Sequence, residues 1–256
     1  MYKGQGQLGS DANGKVFQED WEYSSVVGMM LYLTHTRPEI QFAVHQVACF
    51  CHTPRDSHAT AIYHICKYLK GTPDKGLEFV PDSQSLRLDC YVDADFAGLF
   101  NVENALDPIC SKSRTGYTIF LGKGPVVWVS KLQHETALST TEAEYIALSQ
   151  AMRELILMRR LVTKIAQILG SPELATKMHS DVFEDNNGCI SQATSPKFTP
   201  RNKHYATKFH FFKSHIGPEK GILLHKIGTE EQIADIFTKG LAGEIFKKLR
   251  KLLMGW

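Results

Sequence analysis

From residue 86 to residue 93 apolar and polar side chains alternate without a break, a pattern that restricts the local fold tightly. Leu86, Leu88, Cys90 and Val92 fall on one face, and Arg87, Asp89, Tyr91 and Asp93 on the other. A two-residue period is that of a β-strand. Asp93 closes the strand out of phase with the apolar set, and Ala94 and Gly98 leave room around it. A carboxylate so placed can be held rigidly and still meet a ligand. Aspartate is also a common turn former, so this stretch alone leaves both readings open.

The rest of the chain supplies partners for such a strand. Residues 1–20 are rich in Gly, Asp and Gln without periodicity and read as a flexible arm. Three helices are predicted next. The first, 23–34, is apolar nearly all round, as in a buried helix. The second opens at Pro38 and carries Ile40, Ala43, Val44, Val47 and Cys51; the third starts near Asp56 and stops at Gly71. A short strand is expected at 77–80. Beyond the Asp93 strand, residues 99–113 are polar and irregular. The β-rich runs 116–121 and 126–130 are joined by Gly122-Lys123-Gly124-Pro125, a hairpin signal. A long helix is predicted from Ser139 to Leu169, then a strand at 178–184 and a short helix. A loop at 194–202, a helix at 202–216, a strand at 222–227 and closing helices at 230–239 and 243–253 complete the chain. From residue 86 the order is β-β-β-α-β-α-α-β-α, which predicts a mixed sheet with helices packed on it.

Composition narrows the function classes. A chain of 256 residues with 43% apolar and 22% charged residues is an ordinary globular protein. Its formal charge of +2 confines any nucleic-acid surface to a local patch. Six cysteines without a C-x-x-C pair suit a reducing interior. There is no signal-peptide pattern and no apolar run of about 18 residues, so an intracellular protein off the membrane is expected, with cytoplasm and nucleus both open. His45, Cys49, Cys51, His52, His58, His64 and Cys66 crowd around the third helix, but their spacing matches no familiar zinc pattern.

Four acids stand at element ends or helix starts: Asp93, Glu144, Asp185 and Asp235. Glu144 belongs to one of two capping registers. Thr141-x-x-Glu144 is a capping box, but so is Ser139-x-x-Glu142, and in the second register Glu144 is free for other work. Asp185 ends a β-run as Asp93 does, and Asp235 lies one turn before Lys239. Were all four to converge without a cation, each pair of charges near 4 Å would repel by about 4 kcal/mol at an effective dielectric of 20. Oxygen-only ligands select hard Mg²⁺ or Mn²⁺, and carboxylates holding two such ions are a standard device for phosphodiester hydrolysis.

Six motifs carry a family resemblance. Tyr91-Val-Asp-Ala-Asp-Phe-Ala-Gly98, Ser113-Arg-Thr-Gly-Tyr117, Trp128-Val-Ser-Lys131, Leu138-Ser-Thr-Thr-Glu-Ala-Glu-Tyr145, Glu184-Asp-Asn-Asn-Gly188 and Glu231-Gln-Ile-Ala-Asp-Ile-Phe-Thr-Lys239 resemble the RNase H domain of Ty/copia-type retrotransposon polyproteins. Upstream, Tyr23-Ser-Ser-Val-Val-Gly28, Thr36-Arg-Pro-Glu-Ile40 and Tyr68-Leu-Lys-Gly71 are similar to the region joining reverse transcriptase to RNase H in the same elements. The resemblance spans residues 21–254. It implies an α/β, RNase H-like mixed five-stranded sheet flanked by helices, with a small N-terminal helical subdomain. The division it implies is an arm at 1–20, a connection subdomain at 21–85 and an RNase H-like domain at 86–256. It implies a two-metal endonuclease, using Mg²⁺ or Mn²⁺, that cuts the RNA strand of an RNA–DNA hybrid. Asp93, Glu144, Asp185 and Asp235 match the four catalytic, metal-binding acids. Asp95 and Glu142 are motif neighbours. Polymerase activity is not expected, because the aspartate-bearing polymerase motif is not in this sequence. The loop 99–113 is longer than the family spacing. RNase H proteins often carry a histidine before the last acid; Gly228-Thr-Glu-Glu-Gln232 has none, and His225 falls in a predicted strand.

Between residues 197 and 220 the bases Lys197, Arg201, Lys203, Lys208, Lys213 and Lys220 face one acid, Glu219. Tyr205, Phe209, Phe212 and Ile216 form a buried stripe on the same predicted helix. A hybrid is gripped through phosphates and groove shape, which makes Arg201, Lys203, His204 and Lys208 the candidate contacts, against a merely solvated face. The residues leave two function classes open. One is a hybrid-specific ribonuclease, working alone or with the rest of a retrotransposon polyprotein. The other is a catalytically silent remnant, retained as a nucleic-acid-binding or interaction module; intact acids favour the first, and the missing polymerase and Met1 favour a fragment of a decayed element.

Overall fold

A computed structural model describes residues 8–80, 86–100, 109–173, 178–195 and 212–256. Five strands form one mixed sheet in the order β3-β2-β1-β4-β5. They are β1 (Leu88–Asp95), β2 (Arg114–Leu121), β3 (Gly124–Leu132), β4 (Ser180–Glu184) and β5 (Ile222–Lys226). The first three make the antiparallel meander that the hairpin signal predicted, turning at Gly122, whose φ of +61° suits a residue without Cβ. The 29-residue α4 (Thr140–Ile168) then crosses over and returns β4 to lie parallel to β1. β5 adds in parallel outside β4.

The alternation of β1 is used on both faces. Leu88, Cys90 and Val92 pack with Ile119 against Ala147, Leu148, Ala151 and Leu155 of α4. Tyr91, on the other face, stacks on Phe183 at 4.7 Å. That second face is covered by Ile236 and Phe237 of the single-turn α6 (Asp235–Thr238) and by Phe246, Leu253 and Met254 of α7 (Gly243–Met254). The strand is therefore central and closed to water, which fixes the position of whatever stands at its end.

The N-terminal helices α1 (Tyr23–Leu33), α2 (Gln41–Ala48) and α3 (Asp56–Lys70) share a separate apolar cluster of Val27, Met30, Val44, Val47, Ile62 and Ile65. Helix α1 buries one face only, since Met29 and Tyr32 are exposed. Residues 8–20, expected as a flexible arm, lie against these helices: Val16 bridges to Arg55, and Phe17 packs edge-on against Trp21 and Tyr23. Trp128 Nε1 donates to Thr34 O at 2.9 Å, Arg114 Nη2 donates to Gln46 Oε1 at 2.9 Å, and His45 meets the Ser130 carbonyl, so the helices are tied to β2 and β3.

Two expected elements differ. No strand forms at 77–80, because the Glu78 amide donates to the Met254 carbonyl at the end of α7 instead of to a sheet neighbour. The helix expected at 230–239 is broken into a 3-10 turn (Thr229–Glu231) and α6. The break is at Gln232, whose side-chain amide donates to Val92 O at 2.9 Å and so pins the chain to the sheet. The segments 194–202 and 202–216 lie largely outside the described residues. No helix among the described residues is long and apolar enough to cross a membrane.

Candidate metal centre

Each acid of the four is placed by a local device. Asp93 sits two residues before the end of β1's register with β2, directly opposite Gly116. A Cβ on Gly116 would stand 2.5 Å from Thr238 Cγ2 and 2.9 Å from Phe237 Cβ. The glycine thus lets α6 lie flat on the sheet beside Asp93. On α4 the cap is Ser139, whose hydroxyl accepts from the Glu142 amide at 3.2 Å, while Glu142 Oε2 accepts from the Leu138 amide at 2.9 Å. Glu142 is spent on the helix end, and Glu144 is released toward the sheet, as the second capping register predicts. Asp185 directly follows β4, and Asn186 caps α5 (Asn187–Thr194) by accepting from the Cys189 amide at 2.9 Å. Gly188 gives the starts of α4 and α5 close approach, since a Cβ there would meet Thr141 Oγ1 at 2.8 Å.

The result brings three of the four acids together. Asp93, Glu144 and Asp185 each offer an oxygen, all within 4.8 Å of one another. Asp93 is 2% exposed and Glu144 3%. Asp235, also 3% exposed, stands beside this group and not within it. Its Oδ1 pairs with Lys239 Nζ at 2.9 Å, and the same ammonium lies 3.7 Å from Asp93 Oδ2. Thr238 Oγ1 donates to that Asp93 oxygen, and Thr229 Oγ1 donates to Asp185 Oδ2 at 3.0 Å.

The electrostatics follow from burial. Desolvation, then the charges of Asp93, Glu184 and Asp185, push the Glu144 carboxyl up to about 11, against one amide hydrogen bond from Ala94. Burial also raises Asp93, opposed by Lys239 and Thr238. Asp235 rises to about 7 through burial and the nearby Asp93. Such carboxyls hold protons until a cation replaces them. Glu144 Oε2 is buried without a hydrogen-bond partner. A set of carboxylate oxygens with an unsatisfied buried member fits a hard divalent ion and no soft one.

No family model matches the sequence. The chain is 32% identical over 239 residues to the retrovirus-related Pol polyprotein from transposon RE2 of Arabidopsis thaliana, covering 93% of this chain and 15% of that one. It is 34% identical over 232 residues to the corresponding polyprotein from transposon TNT 1-94 of Nicotiana tabacum, covering 90% of this chain and 16% of that one. Homologues of the chain are thus retrovirus-related Pol polyproteins of plant retrotransposons, of which it matches one segment. It spans about 15% of the length of these Pol relatives. Among solved structures, LC11-RNase H1 isolated from compost superposes with a TM-score of 0.40 at 19% identity, over 63% of this chain and 96% of that one. The α/β class and the five-stranded mixed sheet expected of an RNase H-like Pol segment are both present in the strand order itself.

Three neighbours of the acids in this Pol segment escaped the sequence reading. Glu184 is fully buried, accepts from the Asn186 amide at 2.9 Å and is held well above the ordinary carboxyl range by desolvation. Its place at the last position of a buried strand was the available signal. Thr238 and Lys239 reach Asp93 only because α6 folds onto β2, which no local pattern announces. His225 pairs with Asp181 at 2.7 Å on the neighbouring strand, away from the four acids. The candidate nucleic-acid contacts Arg201, Lys203, His204 and Lys208 lie outside the described residues.

Proposed function

We propose that this chain is a metal-dependent endonuclease that hydrolyses the RNA strand of RNA–DNA hybrids, with Asp93, Glu144, Asp185 and Asp235 as its catalytic, metal-binding acids. The observation that carries the reading is the convergence of three buried or half-buried carboxylates, 92 residues apart in sequence (185 − 93), within 4.8 Å. Nothing in folding rewards such a cluster by itself, since burying unpaired carboxylates is costly. Similarity to one segment of Pol polyproteins supports the same reading, with residues 86–256 as the nuclease part and 21–85 as the connection to a polymerase.

Mg²⁺ or Mn²⁺ fits the donor set; two such ions held there supply an activated water and stabilise the leaving 3′-oxygen. The chain's own residues do the positioning. Thr238 fixes Asp93, Thr229 fixes Asp185, and the Ala94 amide fixes Glu144. Lys239 offsets part of the negative charge at Asp93 and Asp235. Arg201, Lys203, His204 and Lys208 bind hybrid phosphates, and six cysteines, none of them in a disulfide, suit action inside the cell. The test is incubation of the purified chain with a labelled hybrid, with Mg²⁺, with Mn²⁺ and with chelator. Cleavage with metal, lost on chelation, supports the assignment. Hybrid binding without cleavage under either metal identifies the chain as a silent binding module instead.

A further inference from the structure

The four acids do not stand in equivalent surroundings. Among the described residues Glu144 has no ion-pair partner and a buried Oε2 without a hydrogen bond, so its side of the group is open to a cation. The Asp93–Asp235 side already holds one. Lys239 Nζ lies between the two aspartates, 2.9 Å from Asp235 Oδ1 and 3.7 Å from Asp93 Oδ2. A divalent ion bridging the same two carboxylates binds oxygens at about 2.0–2.1 Å for Mg²⁺. It cannot share that gap with an ammonium group, because both cations need the same oxygens. Lys239 is also free to leave. It follows α6 with an extended backbone (φ −142°, ψ 159°), and its side chain is 34% exposed on four flexible bonds.

Resting on the two-ion reading above, we infer that Lys239 is a built-in counter-cation that makes the two ion positions unequal. One divalent ion binds among Asp93, Glu144 and Asp185 with the ammonium in place. The second binds at Asp93 and Asp235 only as Lys239 swings out toward solvent. Lys239 therefore sets the divalent-ion concentration the site requires, as a positioning residue and not as a reacting one. While no second ion is present, it also keeps Asp93 and Asp235 from repelling one another, which holds α6 against β2.

The experiment is a Mn²⁺ titration of the full chain without nucleic acid, read by calorimetry and by the electron paramagnetic resonance signal of a coupled ion pair. Wild type, Lys239→Gln, Lys239→Arg and Asp93→Asn are compared. Wild type should bind one ion tightly and a second more weakly. In Lys239→Gln the second step should tighten by about tenfold or more, and the coupled signal should appear at correspondingly lower Mn²⁺. Lys239→Arg, which keeps the charge, should restore the wild-type separation; a purely structural role would leave both variants alike. Two steps that Asp93→Asn abolishes but Lys239→Gln leaves unchanged overturn the role of Lys239 and spare the two-ion site. Mn²⁺ binding indifferent to Asp93→Asn overturns the two-ion reading itself.

Discussion

Gly116→Ala is the substitution whose effect is best fixed by geometry. Gly116 lies opposite Asp93 in the β1–β2 register, and the added Cβ would stand 2.5 Å from Thr238 Cγ2, 2.9 Å from Phe237 Cβ and 3.0 Å from Ala234 O. Relaxing the first contact to an ordinary carbon separation of about 3.5 Å requires α6 to move by about 1 Å. Two of the three obstacles are helix backbone or Cβ atoms, so a rotamer change does not relieve them. Overpacking of this kind costs about 1–3 kcal/mol, partly offset by the roughly 0.5–1 kcal/mol that alanine gains over glycine inside a strand. A 1 Å shift also carries Asp235, Thr238 and Lys239 away from Asp93, and displacements of that size cost on the order of 10²-fold in rate. Urea unfolding and hybrid cleavage should be measured on the same preparation. The reasoning fails if the urea midpoint and the cleavage rate both stay at wild-type values.

Other outcomes follow from the same contacts. Glu142→Gln should lower stability by about 1 kcal/mol or less and leave metal binding intact, because the amide still accepts from Leu138 N–H; thermal melting with and without Mg²⁺ checks both. Asp235 is raised to about 7 in the folded chain, above its unfolded value near 4, so its stabilising protonation is fully present below about pH 4 and is lost as pH rises through about 7. With chelator the melting temperature should fall across that window, and with Mg²⁺ the fall should shrink; a rise with chelator contradicts the assignment. Lys208→Glu should weaken hybrid binding and flatten its salt dependence, measured by fluorescence anisotropy at several salt concentrations.

The strand that carries Asp93 was legible because its alternate apolar residues Leu88, Cys90 and Val92 face the core under α4, although it runs two residues beyond Asp93, to Asp95. The register of α4 was legible as a choice between two caps, and the Ser139 hydroxyl makes that choice. Asp185 could be read from its place after a β-run. The pairing of Asp93 with Lys239 could not, because 146 residues separate them (239 − 93) and the contact depends on the absence of a Cβ at Gly116. The strand expected at 77–80 failed for a related reason. Leu77-Val80 has strand-forming composition, but the Glu78 amide finds the end of α7, and a local pattern cannot register a partner 176 residues away (254 − 78).

The most direct test is to identify the ends left on the RNA. A hybrid labelled on its RNA strand should be cut by the wild-type chain with Mg²⁺ to give a 3′-hydroxyl and a 5′-phosphate, the products of water attacking phosphorus with the 3′-oxygen leaving. Asp93→Asn, which removes a charge while barely changing volume, should nearly abolish both products while the hybrid is still bound. RNA ends carrying a 2′,3′-cyclic phosphate, or cutting that Asp93→Asn leaves undiminished, would contradict the account.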